Sequence, residues 1–312
     1  MNKVSWGEVN ARVDSAASFK QWIQSMHDNI LASGLVQTGD TGQLDIAGIS
    51  AVPAAGAYAG YLIYKFADSL ASSKPVFIKL RPYVGQAGGS TYLLGNVAVT
   101  VGFSTDGAGT MTGINTAEFN FYNSGSGSVR AFTSGATTSY AIHSEGRFAL
   151  CLGINAYANT MPNNFCMLFL DVTRTLDANG EPTTDGVVVT RNGVPYYSGS
   201  TVGPAEMRPA KALLNTTMGA WNQALTPFVG GQDAATAGGN TQIQRTYRLV
   251  PALVPDPALT LFWSAAITAG DEYDIAVDGI TRHYIALSVN TGLVADAATA
   301  RGAGFGMLWG DL

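Results

Sequence analysis

The stretch from Ala57 to Val84, AYAGYLIYKFADSLASSKPVFIKLRPYV, limits the fold more than any other part of the chain. Two β-like runs, Tyr58 to Tyr64 and Pro75 to Leu80, flank Phe66-Ala67-Asp68-Ser69-Leu70. In the second run Val76, Ile78 and Leu80 alternate with Phe77, Lys79 and Arg81. That period of two gives a strand with one aliphatic face and one face carrying charge. Two such strands joined by one helical turn form a β-sheet module, so the body of the protein is expected to be mainly β.

The rest of the chain repeats this signal. After a Gly-rich turn, TYLLGNVAVTVGF sets Val97, Val99 and Val101 against Ala98 and Thr100, which predicts a hairpin with the Pro75 to Val84 run. Asp106-Gly107 predicts a turn before MTGINTAEFNFY, where Phe119 and Phe121 share a face. Asn123 to Thr138 is Gly, Ser and Thr apart from Asn123, Val129, Arg130, Ala131, Phe132 and Ala136, and reads as a loop holding a short strand. RFALCLGINAY and NFCMLFLDVTRT are continuous apolar runs and predict fully buried strands. Strand patterns flank Asp177 to Gly186, and more strands follow in IQRTYRLV, LTLFWSAAI and HYIALSV. Turn signals about every ten residues argue for a β-sandwich or jelly-roll-like body, and no fixed period supports a propeller or solenoid.

Before this body lies one amphipathic helix. Asp14 or Ser15 can cap it, Phe19, Trp22, Ile23, Met26 and Ile30 recur at spacings of three and four, and Gly34 ends it. Residues 1–14 have no periodic support and read as an arm. Three regions result: arm, helix and connecting loop over 1–56, a β-sandwich-like body over 57–197, and a Gly/Pro-rich connection with a C-terminal β region over 198–312, in the same or a second domain. Within the last, Met207 to Trp221 is compatible with a helix but has no clean face.

Composition excludes several classes. Of 312 residues, 46% are hydrophobic and 12% charged, against a typical charged share of about 25%. Disordered chains show the reverse balance. Weak surface charge gives little self-repulsion and favours a subunit packed against neighbours, so a homo-oligomer is expected. A net charge of −5 without a Lys/Arg block argues against a phosphate-tracking groove, so nucleic acid is not expected as a partner. No apolar run reaches the roughly 18 residues of a membrane span, and MNKVSWGEVN lacks a signal-peptide core. Cys151 and Cys166, the only cysteines, sit in apolar runs and are expected as buried thiols, ahead of a disulfide between neighbouring strands or a metal site.

Catalytic signatures are missing: there is no GxSxG elbow, no phosphate loop and no HExxH pair. His27, His143 and His283 are far apart in sequence, and Gly302 to Gly306 lacks the strand-then-helix setting of a dinucleotide loop. Asp177-Ala178-Asn179-Gly180-Glu181 fails the EF-hand pattern, with Pro182 where glycine is needed and Val188 in place of the closing glutamate, so a hairpin turn is predicted. Glu118, Glu145, Asp171 and Asp185 are the nominal carboxylates for glycoside hydrolysis. Neither a cofactor nor a metal is expected. Trp6 on the arm and Trp22 on the helix are the candidate anchors for a partner. Tyr122, Tyr196 and Tyr197, beside Ser and Gly, are the candidates for contact with a glycan or a partner protein.

YLIYKFADSLASSKPVFIKL, taken with WGEVNAR and the helix ending in SGLVQTGDTGQ, resembles an N-terminal pattern of structural proteins of tailed-bacteriophage virions, of the kind attached to tails, necks or fibres. The resemblance covers roughly the first third of the chain. It implies a non-enzymatic building block located in the virion, with other virion proteins as partners. It also implies a trimer as the first expectation for the oligomer, since fibre-like phage parts commonly have that symmetry. The rival expectations are a receptor-recognition module binding host-surface glycan, a polysaccharide hydrolase, and a capsid decoration protein.

Overall fold

The computed structural model describes residues 1–8, 13–86, 93–120, 137–153, 167–191, 211–216, 219–224, 242–248, 254–264, 270–277, 280–290 and 302–310. It is mainly β, with an N-terminal helix and a sandwich-like arrangement of antiparallel sheets. Strands β1 (Asn2–Glu8), β7 (Thr137–Ser144), β8 (Arg147–Gly153), β9 (Met167–Leu176), β10 (Pro182–Arg191), β11 (Lys211–Thr216) and β12 (Gly219–Ala224) form one sheet in that order. A second sheet runs β2 (Val36–Gln37), β3 (Leu62–Lys65), β4 (Phe77–Gln86), β5 (Leu93–Thr105) and β6 (Met111–Asn120). The third has the order β13 (Gln242–Arg248), β14 (Val254–Ser264), β17 (Gly302–Leu308), β16 (Ile280–Asn290) and β15 (Glu272–Val277).

The seven-stranded sheet is covered on both faces, which is why its central strands read as unbroken apolar text. On one face Ala141, Phe148, Leu150, Leu152, Leu170, Val172, Val187 and Val189 share a core with Leu62, Tyr64, Phe66, Ile78, Leu80 and the valines of β5 from the second sheet. The register alternates the other residues, Tyr140, Ile142, Ala149, Cys151, Phe169 and Val188, to the opposite face, and these are buried as well. There the third sheet approaches: Trp309, just after β17, sets its ring edge-on to Tyr140 at 5.6 Å between centroids, with the Lys3 ammonium 5.4 Å from the indole centre. The buried Cys151 thiol belongs to this face, as expected; Cys166 lies outside the described residues.

Helix α1 (Ala16–Ala32) follows the predicted frame. Ser15 caps it by a reciprocal box with Ser18, and Gly34, at φ 105°, leaves it in the left-handed region that glycine tolerates. Phe19, Trp22, Ile23, Met26 and Ile30 enter the core shared by the first two sheets. At about 1.5–3 kcal/mol per buried side chain, that stripe contributes on the order of 10 kcal/mol as an upper bound. A helix of this length alone in water would be marginal.

The predicted β4–β5 hairpin forms, with Ile78 opposite Val101 and Leu80 opposite Val99. Val76, Ile78 and Leu80 are buried while Phe77, Lys79 and Arg81 are half-buried, as the alternation requires. Two expectations are corrected. The first eight residues are not a free arm, because Asn2–Glu8 pairs with β7 along its whole length. Of the Tyr58 to Tyr64 run only Leu62 to Tyr64 is strand, within β3, and Tyr58 makes a lone bridge to Tyr83. Within the helix-compatible segment Met207 to Trp221, the described residues are strand: Lys211–Thr216 pairs with β10, and β12 begins at Gly219. Across the 197/198 border, β10 and β11 are neighbours in one sheet.

Candidate functional site

The strongest chemistry in the described residues lies between the layers. Arg147 opens β8 opposite Thr173, on the face turned toward the third sheet, and Asp171 lies on the same face of β9. Arg147 Nε donates to Asp171 Oδ2 at 2.8 Å, Nη2 reaches the same oxygen at 2.7 Å, and Thr173 Oγ1 donates to Oδ1 at 2.5 Å. Two further guanidinium hydrogens turn to the end of β17 and the chain just past it: Nη2 donates to the Leu308 carbonyl at 2.9 Å and Nη1 to that of Gly310 at 3.4 Å. The side chains of Arg147 and Asp171 are 0% and 1% exposed, so no substrate can reach them.

The other face of the same sheet carries a matching device. Arg174, alternating with Thr173, points toward the second sheet and grips Asp68 in the β3–β4 turn by two parallel bonds of 2.6 and 2.9 Å. Its Nη2 also donates to the Lys74 carbonyl at 2.9 Å, and the guanidinium carbon stands 5.7 Å from the centre of the Phe66 ring. Nearby, Glu145 in the β7–β8 turn accepts from the backbone N–H of Ser69 at 3.0 Å and from the Ser69 hydroxyl. Thus the β3–β4 turn, the helical turn of the sequence reading, is a docking point for the middle layer. A charge buried without a partner costs several kcal/mol, so these positions are specified strongly.

Two clusters face solvent. Arg81 of β4 holds Glu118 of β6 by bonds of 2.9 and 3.1 Å and lies 3.5 Å over the ring of Tyr58, whose hydroxyl donates to Glu118 at 3.2 Å. On the β15–β16 pair, His283 opposes Asp274; its Nδ1 lies 2.7 Å from Asp274 Oδ1 and its Nε2 2.6 Å from Glu272 Oε2. Ionised carboxylates only accept, so the two of them favour the doubly protonated form of this ring. Hydrogen bonds donated to Asp274 and then to Glu272 raise its pKa above the ordinary histidine value, against a smaller opposing effect of burial.

The sequence candidates are placed as follows. Trp22 is 4% exposed, in the chain's own core, with the backbone of Gly95 against its ring; as an anchor for a partner it is withdrawn, because no partner can touch it. Trp6 is half-buried in β1 and packs against the same core. Tyr122, Tyr196 and Tyr197 lie outside the described residues. The three histidines have separate surroundings: His27 Nδ1 is 2.8 Å from the Tyr64 hydroxyl, His143 stands edge-on to Phe66, and His283 lies between its carboxylates. Glu118, Glu145 and Asp171 are each held by the partners named above, and Asp185 is exposed beside the β9–β10 turn. Asp177 Oδ1 accepts from the backbone N–H groups of Asn179 and Glu181, which is the hairpin turn predicted there. Among the described residues no group of three or more His, Cys, Asp or Glu is placed to hold a metal, and no helix is long and apolar enough to cross a membrane.

Arg147, Arg174 and Asp68 escaped the sequence reading. The signal for the two arginines was present: charged letters inside or bounding runs buried on both faces, RFALCLG and LFLDVTRT. Fold and charges together define a layered antiparallel β protein whose middle sheet is fastened to one neighbour by the Arg174–Asp68 pair and to the other by Arg147, which Asp171 holds while it donates to the Leu308 and Gly310 carbonyls. Comparison with protein-family models, curated proteins and solved structures finds no match to this chain.

Proposed function

We infer that this protein is a non-enzymatic structural component of a tailed-phage virion, in its tail, neck or fibre region, assembled from several copies of itself and joined to other virion proteins. The observation that carries the building-block part of this reading is the use made of its buried charges. Arg147 with Asp171, and Arg174 with Asp68, hold backbone and side chains of adjacent layers and present nothing to a substrate. The virion part rests on the resemblance of YLIYKFADSLASSKPVFIKL and its flanking motifs. A low share of charged residues, 12%, supports packing against neighbours, and the outer strands β6, β12, β13 and β15 offer edges that symmetric assembly could pair.

Immunogold labelling of purified particles tests the reading. Label at the tail, neck or fibres is the expected result, and label over the capsid would instead indicate a decoration protein. Particles without label would overturn the proposal.

A further inference from the structure

We propose that His143 is an acid-sensitive latch for the N-terminal strand: protonating its ring loosens β1 from the edge of the seven-stranded sheet. His143 lies on β7 directly opposite Asn2, the first residue of β1. The imidazole is 7% exposed, and its Nε2 is buried without a hydrogen-bond partner. Phe66 of the β3–β4 turn packs edge-on against it at 5.6 Å. On the opposite side Gly34, just past α1, crowds in: a methyl group there would lie 3.1 Å from His143 Nδ1 and 2.8 Å from the Asn2 amide nitrogen. The ring therefore sits where β1, the end of α1, β7 and the β3–β4 turn converge.

A neutral imidazole suits such a place, since one of its nitrogens needs no hydrogen to give away. An imidazolium does not, because Nε2 would become a buried donor with nothing to accept from it. The charged groups around the ring do not repair this. Asp68 is occupied by Arg174, Glu145 by Ser69, and the chain's own N-terminal ammonium is repulsive. Arg174 adds a second cation on the same Phe66 ring. Burial accordingly lowers the pKa of His143, partly offset by Asp68 and Glu145. The sign follows from linkage. A histidine depressed in the closed state takes up its proton more readily once opened, so docking is fully stable above the open-state value of about 6.5 and weakens as pH falls below it.

β1 is the element that can give way. It is an outer strand, bonded on one side to β7, with Asn2, Lys3, Ser5 and Gly7 exposed and only Val4 and Trp6 half-buried. Phe66, by contrast, is fixed in the core, and its turn is held by Arg174. Lifting β1 removes Asn2 from beside the ring and admits water to it.

Amide hydrogen exchange of the full chain at pH 7.5 and 5.0 tests this, with residues 2–8 normalised to β8 and β9 to cancel the intrinsic pH dependence. The expected result is a selective loss of protection in β1 at pH 5.0, with a ceiling of about thirtyfold set by the open-state pKa. His143→Phe keeps a ring against Phe66 and cannot titrate, so its β1 protection should be the same at both pH values. Should that variant fail to fold, NMR titration of the His143 ring in the wild type decides: a midpoint below about 6.5, tracking the β1 amides, supports the latch. Unchanged β1 protection at pH 5.0, an equal loss in His143→Phe, or a ring that titrates at or above the ordinary value would overturn it.

Discussion

Arg147 shows how much one side chain can decide in this protein. Desolvating a guanidinium is offset by the acceptors its nitrogens find, and here Asp171, Leu308 and Gly310 provide one or more for each of the three. Arg147→Met should therefore leave the Asp171 carboxylate buried with Thr173 as its remaining partner and cost about 3–5 kcal/mol, read as a lower denaturant midpoint. Arg147→Met combined with Asp171→Leu should recover a large part of that loss, since it removes both charges and replaces them with apolar volume. If the double variant is no more stable than the single one, the charge argument fails. Gly95 gives a purely steric test. A methyl group there would stand 2.7–2.9 Å from the Trp22 ring, so Gly95→Ala should destabilise by about 1–3 kcal/mol in chemical denaturation.

For single elements, caps and clips matter more than volume. Ser15→Ala removes the side chain that accepts from the Ser18 N–H, and about 1 kcal/mol of stability should go with it, with α1 otherwise unchanged by circular dichroism. At the far end of the chain, the imidazolium of His283 ties the outer strand β15 to β16. Its pKa is raised on folding, so this contribution is complete below the unfolded value of about 6.5 and is lost as pH rises through the folded value. Amide exchange in β15 should therefore quicken on the alkaline side beyond its intrinsic rate, and His283→Gln should abolish the pH dependence. The two histidines thus work in opposite directions, His143 failing in acid and His283 in base, because one is buried without an acceptor and the other sits between two.

At the scale of the whole molecule, the proposed oligomer predicts that light scattering finds a mass of three times 32.5 kDa at micromolar concentration. A monomer in solution, together with no symmetric assembly in particles, would refute it. Local pattern was enough to determine much of the architecture: the frame of α1, the alternation of buried and half-buried residues along β4, the turn at Asp177 and the burial of the runs around Cys151 and Phe169. Each depends on neighbours a few residues apart, where period, cap and turn chemistry act directly. Tertiary structure decided the rest. Asn2–Glu8 is a strand only because β7, more than a hundred residues later, offers it an edge, and Lys211–Thr216 is a strand only because β10 does. Trp22 was legible as part of an apolar stripe, but the sequence could not say that the stripe faces Gly95 and the chain's own core. The two arginine–aspartate pairs were least legible of all, since Asp68 and Arg174 are joined across 106 positions by a packing of layers that no local period encodes.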